Sequence, residues 1–350
     1  MKALKYIIIA AAAALVFTSC NKDPKLKGIT AQTETLRLNY GDKARVPAFP
    51  DPWNCTDYDF TYTSADPSVV TVDRYGTITT VGLGTTTVTA SQGSYSATCT
   101  VEVYAYTIAN LIQDNYKDGL NGLWEFGTPN GSKDDAMKAT VGKDLVPHYP
   151  DSEGSLGPVS TDGFDVVTGF NGIDGAIHTR YSTLFELTHN LTHGYIYTIL
   201  IDALRPAEKY GRRWVDEEGV EHLESSSGRY TTFFNRDHTN AADQYIYWRK
   251  PFNEQGLQVY GGDWRSGGGI FSDDTWFRIV IVQDATSIRQ YANGAEILNK
   301  AATKDSGELP ETFALLNGDN DGDDAPLLYS TVAVWDKPMS ADEIAGLGGL

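Results

Sequence analysis

Short runs of alternating apolar and polar residues, separated by turn residues, restrict the fold of this chain more than any other feature. Between positions 97 and 103 the odd residues are Ala, Cys or Val, whereas Thr98, Thr100 and Glu102 occupy the even positions. A period of two is typical of a β-strand with one buried face. Comparable runs recur along the chain with turn residues between them, which predicts an all-β protein built of sandwiches.

The charge balance of the chain excludes one class of partner. The 350 residues contain 46 Asp and Glu against 28 Lys and Arg, a formal net charge of −18. A surface this acidic repels phosphate backbones, so nucleic acid is not an expected partner. The three cysteines are too few for a scaffold that depends on disulfides.

The first twenty residues resemble the export signal of a bacterial lipoprotein. A basic start precedes an unbroken apolar run from Tyr6 to Phe17, which is shorter than the roughly 20 residues of a membrane-spanning helix. The run ends in small residues before Cys20, and this ending resembles a lipobox. The resemblance implies that residues 1–19 are a signal peptide and that Cys20 is lipidated. An ordinary secretory signal with a chance Cys is the alternative.

Residues 20–28 form a short polar tether. Lys22 and Asp23 lie close to Cys20 and resemble the surface-export signal of Bacteroidetes-type lipoproteins. This resemblance implies an outer-membrane lipoprotein that is exposed at the cell surface and contacts the membrane only through its lipid anchor. Two or more acyl chains give durable anchoring, since each buried CH₂ contributes about 0.8 kcal/mol.

Residues 29–104 resemble the group 2 bacterial Ig-like domain. The resemblance is carried by Ser64–Val72, Gly76–Ala90 and Ala97–Val101. It implies a small Ig-like β-sandwich that serves as a spacer or as an adhesive module.

Two cysteines lie in this small domain. Cys99 is on the apolar side of its predicted strand, and Cys55 is its only candidate partner in the exported chain. An oxidising compartment permits a Cys55–Cys99 disulfide, but the sequence fixes no distance between the two residues. Paired and free states therefore both stay open at this point.

Residues 105–350 resemble the laminin-G-like, concanavalin A-like lectin/glucanase jelly roll. Trp124–Phe126 opens the match, Trp276–Val280 and Tyr291–Gly294 follow, and Tyr329–Gly348 closes it. The resemblance implies a large jelly-roll β-sandwich whose concave face or rim loops commonly bind glycans. The fold alone names no ligand, because it also hosts hydrolases, adhesion modules and spacers.

Three local signals predict individual elements of this larger domain. Residues 106–116 are typical of a short connecting helix. Ser340 and Glu343 form a capping box that predicts a second helix near the end of the chain. Asn293 and Gly294 predict a tight hairpin turn between two strands.

The acidic pattern of the glucanase branch is not found in the sequence. Those hydrolases need two carboxylates flanking the scissile bond, and on this fold they normally occupy Glu-x-Asp-x-x-Glu or Glu-x-Asp-x-Glu on one strand. Glu186 is the only acid on its predicted strand, and the acidic run at 216–218 is typical of a solvated hairpin tip. A non-enzymatic protein is therefore the leading expectation, and hydrolysis is an alternative.

Two motifs resemble metal sites. His189 and His193 have a zinc-like spacing, but the β pattern after Gly194 opposes the helix such a pair needs, so turn and strand-end histidines are expected.

Calcium is the one candidate cofactor: it prefers six to eight oxygen ligands, which an acidic segment can offer. That segment has its acids at Asp319, Asp321 and Asp323. It lacks the distal Glu of an EF-hand loop, so a calcium site and a plain acidic turn both stay open.

Sugar binding requires a flat apolar face for pyranose C–H groups and planar polar groups for pairs of hydroxyls. Two stretches and one insertion offer such residues: Asn235, Arg236 and Asp237 near Trp248, then Trp264 and Arg265 in a predicted Gly-rich loop, and Trp214 in a polar insertion. By contrast, Trp124, Trp276 and Trp335 fit core positions of the jelly roll.

These patterns predict a surface-tethered protein that binds a poly- or oligosaccharide without altering it. The small domain spaces the jelly roll from the membrane, and the jelly roll carries the site. An adhesion or assembly subunit that contacts proteins of a surface complex is the second hypothesis. A carbohydrate-active hydrolase is the third.

Overall fold

The computed structural model describes residues 24–149, 156–180, 183–206, 213–215, 221–223, 230–235, 247–249, 256–259, 263–266, 272–301, 308–315 and 326–350. The chain divides into two compact units, Met1–Ala105 and Tyr106–Leu350. Both units consist of β-sheets with a few short helices in the second, so the predicted all-β fold is confirmed.

The described part of the first unit contains nine strands. They are β1 (Gly28–Ala31), β2 (Thr35–Asn39), β3 (Lys43–Arg45), β4 (Ala48–Asp51), β5 (Thr61–Ser64), β6 (Val70–Val72), β7 (Thr77–Thr80), β8 (Gly84–Gln92) and β9 (Tyr95–Tyr104). One sheet has the order β2-β9-β8-β5, a second has the order β3-β7-β6, and β1 pairs with β4.

The core of the first unit follows the predicted alternation. Val88 and Ala90 of β8, with Val101 and Val103 of β9, are at most 3% exposed and pack in one cluster between the sheets. The residues between them face the other side of the sheet, which leaves polar side chains such as Thr89 outside. The Ig-like sandwich expected for this part of the chain is therefore present.

The two cysteines of this unit are free, so the Cys55–Cys99 disulfide that the sequence left open is not formed. Both residues are buried, at 3% and 2% exposure. The Cys55 thiol is directed to the carbonyl oxygen of Asp57 at 3.7 Å, whereas Cys99 lies opposite Val88 within the β8–β9 pair. Burial raises the pKa of the Cys99 thiol and keeps it protonated.

The second unit has its elements in the following order: α1 (Ile108–Asn115), β10 (Leu120–Trp124), α2 (Lys133–Ala136), β11 (Val146–His148), β12 (Phe164–Thr168), β13 (Gly175–Thr179), β14 (Leu184–Thr188), β15 (Tyr197–Leu204), β16 (Arg213–Val215), β17 (Glu221–Leu223), β18 (Tyr230–Thr232), β19 (Tyr247–Arg249), β20 (Gly256–Val259), β21 (Asp263–Ser266), β22 (Trp276–Gln283), β23 (Ser287–Ala292), β24 (Ala295–Ala301), β25 (Thr312–Leu315), β26 (Leu328–Trp335) and α3 (Ala341–Leu347).

An eight-stranded sheet is the centre of the second unit. Its order is β12-β13-β26-β15-β22-β23-β24, and β10 pairs with β26 beside this path. Smaller sheets, β11-β14-β25 and β18-β19-β20-β21, accompany it. The inner face of the large sheet packs with Phe185 and Phe313 of the β11-β14-β25 sheet in one apolar cluster. This is the layered arrangement that a jelly-roll sandwich requires.

The central strands are apolar on both faces because the large sheet is covered on both sides. In β15, Ile199 and Ile201 belong to the inner cluster, whereas Leu200 belongs to a second cluster on the outer face. That outer cluster includes Ile112 of α1 and Ile344 of α3. Continuous apolar runs, rather than strict alternation, are expected where a strand is buried on both faces.

A buried ion pair joins α3 to the sheet. Arg278 of β22 and Asp202 of β15 are register partners, and both are 2% exposed. The guanidinium donates to both carboxylate oxygens, at 2.6 and 2.7 Å, and to the carbonyl of Leu347 at the end of α3 at 2.5 Å. Burial raises the pKa of Asp202, and the adjacent Arg278 opposes that shift.

The three local predictions for this unit are confirmed. Helix α1 lies within residues 106–116, and a full capping box joins Ser340 and Glu343 at the start of α3. Asn293 and Gly294 form the turn between β23 and β24 with φ of 47° and 80°, the left-handed backbone that this pair of residues tolerates best.

The tryptophan predictions for the core are confirmed for two residues and wrong for one. Trp124 and Trp335 are at most 1% exposed. Trp276 is only half-buried, because it is the first residue of β22 and stands at the edge of the sheet against the exposed Phe170. Among the described residues no helix is long and apolar enough to span a membrane.

Candidate functional site

Three candidate sugar-binding residues lie in the four-stranded sheet β18-β19-β20-β21. Trp248 is the middle residue of β19, and Trp264 and Arg265 are the two middle residues of β21. The prediction that Trp264 lies in a Gly-rich loop is wrong, because residues 263–266 pair with β20 as a strand. Glycines flank this segment in the sequence, which is why the sequence predicts a loop.

The register of this sheet separates the two tryptophans. Trp248 is opposite Leu257, and Leu257 is opposite Arg265, so these three residues form one row across β19, β20 and β21. Trp264 is opposite Gln258, one position along. Since successive residues of a strand lie on opposite faces, Trp248 and Arg265 share one face and Trp264 lies on the other.

Buried Thr232 identifies the face that belongs to Trp264. The row of Trp264 continues through Gln258 and Tyr247 to Thr232 of β18, and Thr232 is 2% exposed. The row of Trp248 ends instead at Thr231, on the face opposite the buried residue. We name the row Thr231, Trp248, Leu257 and Arg265 the Trp248 row.

Adjacent strands of a sheet are 4.7–4.9 Å apart, so Trp248 and Arg265 are separated by roughly 10 Å across the sheet. Trp and Arg are two residue types that suit sugar binding. The ring provides the apolar surface for stacking, and the fork of N–H donors provides paired hydrogen bonds to hydroxyls. The row therefore combines the two chemical requirements that sugar binding imposes.

The remaining predicted residues lie elsewhere. Asn235 follows β18 but is 1% exposed, which removes it from any surface that a polymer could cover. Trp214 lies in the two-stranded β16-β17 pair, opposite His222, and not in the four-stranded sheet. The other residues lie outside the described residues: Arg236, Asp237, Cys20, Asp319, Asp321 and Asp323. The sugar, lipid and calcium assignments of those residues stay predictions.

The two zinc-like histidines have other roles in the structure. His189 follows β14, its Nε2 is hydrogen bonded to the carbonyl of Pro310, and its Nδ1 accepts from the backbone N–H of Leu191 at 3.2 Å. Burial lowers the pKa of His189 and favours the neutral ring. His193 stacks on Tyr195 at a centroid distance of 5.3 Å. Among the described residues no group of three or more His, Cys, Asp or Glu is placed to hold a metal ion.

A polar pair on the β11-β14-β25 sheet was not predicted from the sequence. His148 of β11 contacts Glu186 of β14 through Nε2 at 2.9 Å and the carbonyl of Gly157 through Nδ1 at 2.9 Å. Both partners of the imidazole are hydrogen-bond acceptors, and the ring links three separate segments of the chain. No sequence pattern links residues 38 positions apart, and only the strand pairing brings them together.

The fold defines a class of modular β-sandwich protein, in which a small sandwich is followed along the chain by a large one. Family models then identify the two parts. Residues 58–105 match the bacterial Ig-like domain, and residues 211–345 match the concanavalin A-like lectin/glucanases superfamily of the laminin G type. The chain therefore carries a bacterial Ig-like domain followed by a concanavalin A-like domain.

Solved structures with the same kind of fold are distant in sequence. The chain is similar to domain 4 of AbnA, an extracellular GH43 arabinanase from Geobacillus stearothermophilus solved with arabinotriose, at 13% identity and a TM-score of 0.41, covering 65% of this chain and 98% of that domain. It is also similar to the binding domain of botulinum neurotoxin DC solved with rat synaptotagmin II, at 14% identity and a TM-score of 0.36, covering 63% of this chain and 49% of that one.

A third similar structure is that of botulinum neurotoxin type C, whose cell entry depends on two ganglioside molecules, at 15% identity and a TM-score of 0.37. The alignment covers 69% of this chain and 53% of the toxin chain, so the protein spans about half the length of the neurotoxin structures it matches. Scores at this level support no statement about function. A comparison with curated proteins finds no match.

Proposed function

We propose that the protein is a lipid-tethered protein of the bacterial cell surface whose concanavalin A-like domain binds a poly- or oligosaccharide without cleaving it. The observation that carries the proposal is the Trp248 row. It places Trp248 and Arg265 on one face of the four-stranded sheet with Leu257 between them. The family match of residues 211–345, which include this sheet, supports the assignment of a glycan as the ligand.

The tether is a separate part of the proposal. Its support is the lipobox-like ending at Cys20 and the charged residues Lys22 and Asp23 that follow it. The Ig-like domain then acts as a spacer between the membrane and the glycan-binding domain. The localisation in the outer membrane, with the domains facing outward, follows from the same residues.

Affinity electrophoresis through gels that contain single polysaccharides tests the binding. We expect at least one polysaccharide to retard the purified chain, with no release of reducing ends after prolonged incubation. Retardation with sugar release supports the hydrolase alternative, whereas a full panel without retardation supports an adhesion or assembly role that contacts protein.

Single substitutions test the site. Trp248→Ala and Arg265→Ala should each weaken retardation at least several-fold, because stacking and charge-assisted hydrogen bonds each contribute on the order of 1 kcal/mol or more. Arg249→Ala is the matched control, since Arg249 neighbours Trp248 in β19 but lies on the opposite face. Equal loss in Arg249→Ala and Arg265→Ala would contradict the assignment of the face.

Cell fractionation tests the tether. Replacing Cys20 with Ser should move the protein from the membrane fraction to the soluble fraction, because the acyl chains provide the anchor. Retention of the Cys20→Ser protein in the membrane fraction would refute a lipid tether at this residue and leave the glycan assay unaffected.

A further inference from the structure

An aromatic surface lies on the first unit, away from any residue assigned a role above. Trp53 is 86% exposed, the highest value among the large hydrophobic side chains of the described residues, and Phe49 is 50% exposed. An indole left in water forgoes the burial that usually stabilises it. Exposure of this extent on a folded turn indicates a contact that is made outside the isolated chain.

The turn that carries Trp53 is held in place. It follows β4, and the backbone N–H of Cys55 donates to the carbonyl of Pro52 at 2.9 Å. The side chain of Cys55 is 3% exposed and fixes the far side of the turn to the core. Trp53 is therefore displayed on a defined backbone.

The position of this turn in the sheet is the decisive observation. β4 pairs antiparallel with β1, Gly28 is opposite Asp51, and the N–H of Lys27 donates to the carbonyl of Asp51 at 2.7 Å. In an antiparallel pair, the chain that leaves one strand runs beside the chain that enters the other. Trp53 therefore lies at the end of the first unit where the polypeptide arrives from Cys20.

The length of chain between the anchor and this end is short. Lys27 is seven residues after Cys20, and even a fully extended chain of seven steps spans at most roughly 25 Å. If acyl chains on Cys20 enter a bilayer, this end of the first unit cannot move far from the lipid headgroups. This step rests on the tether of the proposed function.

The residues at this end suit a membrane–water interface. Tryptophan concentrates at that interface because its ring is apolar and its N–H remains hydrogen bonded. Lys25 and Lys27 are exposed beside the turn and attract anionic headgroups. The exposed carboxylates of Asp51 and Asp57 oppose that attraction, so the aromatic side chains must supply most of the binding.

We propose that Phe49, Trp53, Lys25 and Lys27 form a docking face that lies on the surface of the bilayer into which the lipid of Cys20 inserts. The anchor supplies a high local concentration, and the docking face orients the first unit on the membrane. The Ig-like domain then has a defined orientation on the membrane and does not swivel freely on its tether.

Fluorescence quenching by brominated lipids tests the docking. The mature chain, starting at Cys20, is coupled through that thiol to a maleimide phospholipid in vesicles of equal parts phosphatidylethanolamine and phosphatidylglycerol. The buried Cys55 and Cys99 do not compete for the reagent. Brominated acyl chains should quench the coupled protein, and Trp53→Phe should remove most of the quenching, since Trp53 is the single tryptophan of the first unit.

Two further variants keep Trp53 as the reporter. Phe49→Ser should reduce the quenching of Trp53 at least two-fold, because it removes one of the two aromatic side chains of the docking face. Tyr75→Ser is the matched control: Tyr75 is 57% exposed, and its turn lies beside Val46 at the opposite end of β4, where Gly76 accepts the N–H of Val46 at 2.8 Å. This variant should leave the quenching unchanged.

Three results would overturn the docking face: no quenching of the coupled wild-type chain, equal quenching in the wild type and in Trp53→Phe, or equal loss in Phe49→Ser and Tyr75→Ser. A blue shift of emission on addition of a soluble polysaccharide that Trp53→Phe abolishes, without quenching by lipid, would assign the face to a glycan instead. Mass spectrometry of the protein from native membranes tests the anchor separately. Native Cys20 without lipid contradicts the tether and not the docking of the coupled chain.

Discussion

The two units place their large apolar side chains in opposite ways. Among the described residues, eight of the eleven exposed large hydrophobics belong to the first unit, including Trp53 and Phe49. All of the largest fully buried side chains belong to the second unit, including Trp124 and Trp335. Among the described residues, the first unit therefore has most of its aromatic residues available for contact, whereas the second unit buries its largest ones in its core.

The difference follows from the number of covered faces. The strands of the first unit bury one face each, and a small domain leaves a larger fraction of its surface in water. The central strands of the second unit are covered on both faces, by the inner core and by α1 and α3. Covering both faces also buries polar side chains, and these need hydrogen-bond or ion-pair partners within the protein.

The largest expected effect concerns a buried charge of the second unit. Arg278→Ala leaves Asp202 without its guanidinium and the end of α3 without a donor, and it should lower the free energy of unfolding by about 3–5 kcal/mol. Urea unfolding followed by tryptophan emission reports on the second unit, since six of the seven tryptophans lie there.

The first unit supplies the control for that prediction. Arg37 and Glu102 also form an ion pair, at 3.0 Å, but their side chains are 63% and 40% exposed. Arg37→Ala should therefore lower the free energy of unfolding of the first unit, measured by amide exchange in β8 and β9, by no more than about 1 kcal/mol. If the two Arg→Ala variants cost the same, the buried pair is not a structural element of the second unit.

A smaller effect of opposite sign is expected from two buried amides. Gln283 and Gln290 are 0% exposed, and no described residue is hydrogen bonded to the amide groups of either. Gln283 is opposite Ile288 and Gln290 is opposite Ile281, so both glutamines face the inner core. A buried amide without partners costs about 1–3 kcal/mol.

The double variant Gln283→Met, Gln290→Met keeps the volume of both side chains and removes the polar groups. It should raise the free energy of unfolding by about 1–3 kcal/mol, measured by urea unfolding. A lower stability of the double variant would show that these amides bind internal water or pair with each other in solution. The contrast between the two units would then change, because the core of the second unit would contain a polar network with all its hydrogen bonds made.

Local chemistry made much of this fold predictable from the sequence. The capping box at Ser340 and the Asn293 turn each depend on neighbouring residues, and the alternation at 97–103 depends on a single strand. Both resemblances also name the folds that family models identify. Short-range patterns of this kind need no knowledge of which strands pair.

The arrangement of the candidate site could not be predicted in this way. Trp248 and Trp264 lie on opposite faces because of the register of β19, β20 and β21, and register depends on pairings that the sequence does not encode locally. The contact of His148 with Glu186 has the same origin. The half-buried position of Trp276 likewise depends on a residue distant in sequence, Phe170, which its ring contacts.

The smallest expected effect is a pH dependence that only the second unit has. All six histidines of the chain lie in it, and burial lowers the pKa of His178 and of His189. A histidine whose pKa is lower in the folded state binds fewer protons folded than unfolded. Its contribution to stability is complete above the unfolded value, near pH 6.5, and is lost as the pH falls below it.

The urea midpoint of the second unit should therefore fall between pH 7 and about pH 5.5, while the free energy of opening of β8 and β9 in the first unit, obtained from amide exchange after correction for the intrinsic exchange rate at each pH, stays constant. His189→Gln should flatten this dependence, and His193→Gln, a change at an exposed histidine four residues away, should leave it unchanged. Burial raises the pKa of Asp174 and gives a slope of opposite sign at lower pH. The difference between the two His→Gln variants cancels that contribution, so an equal slope in both would contradict a role for buried histidine.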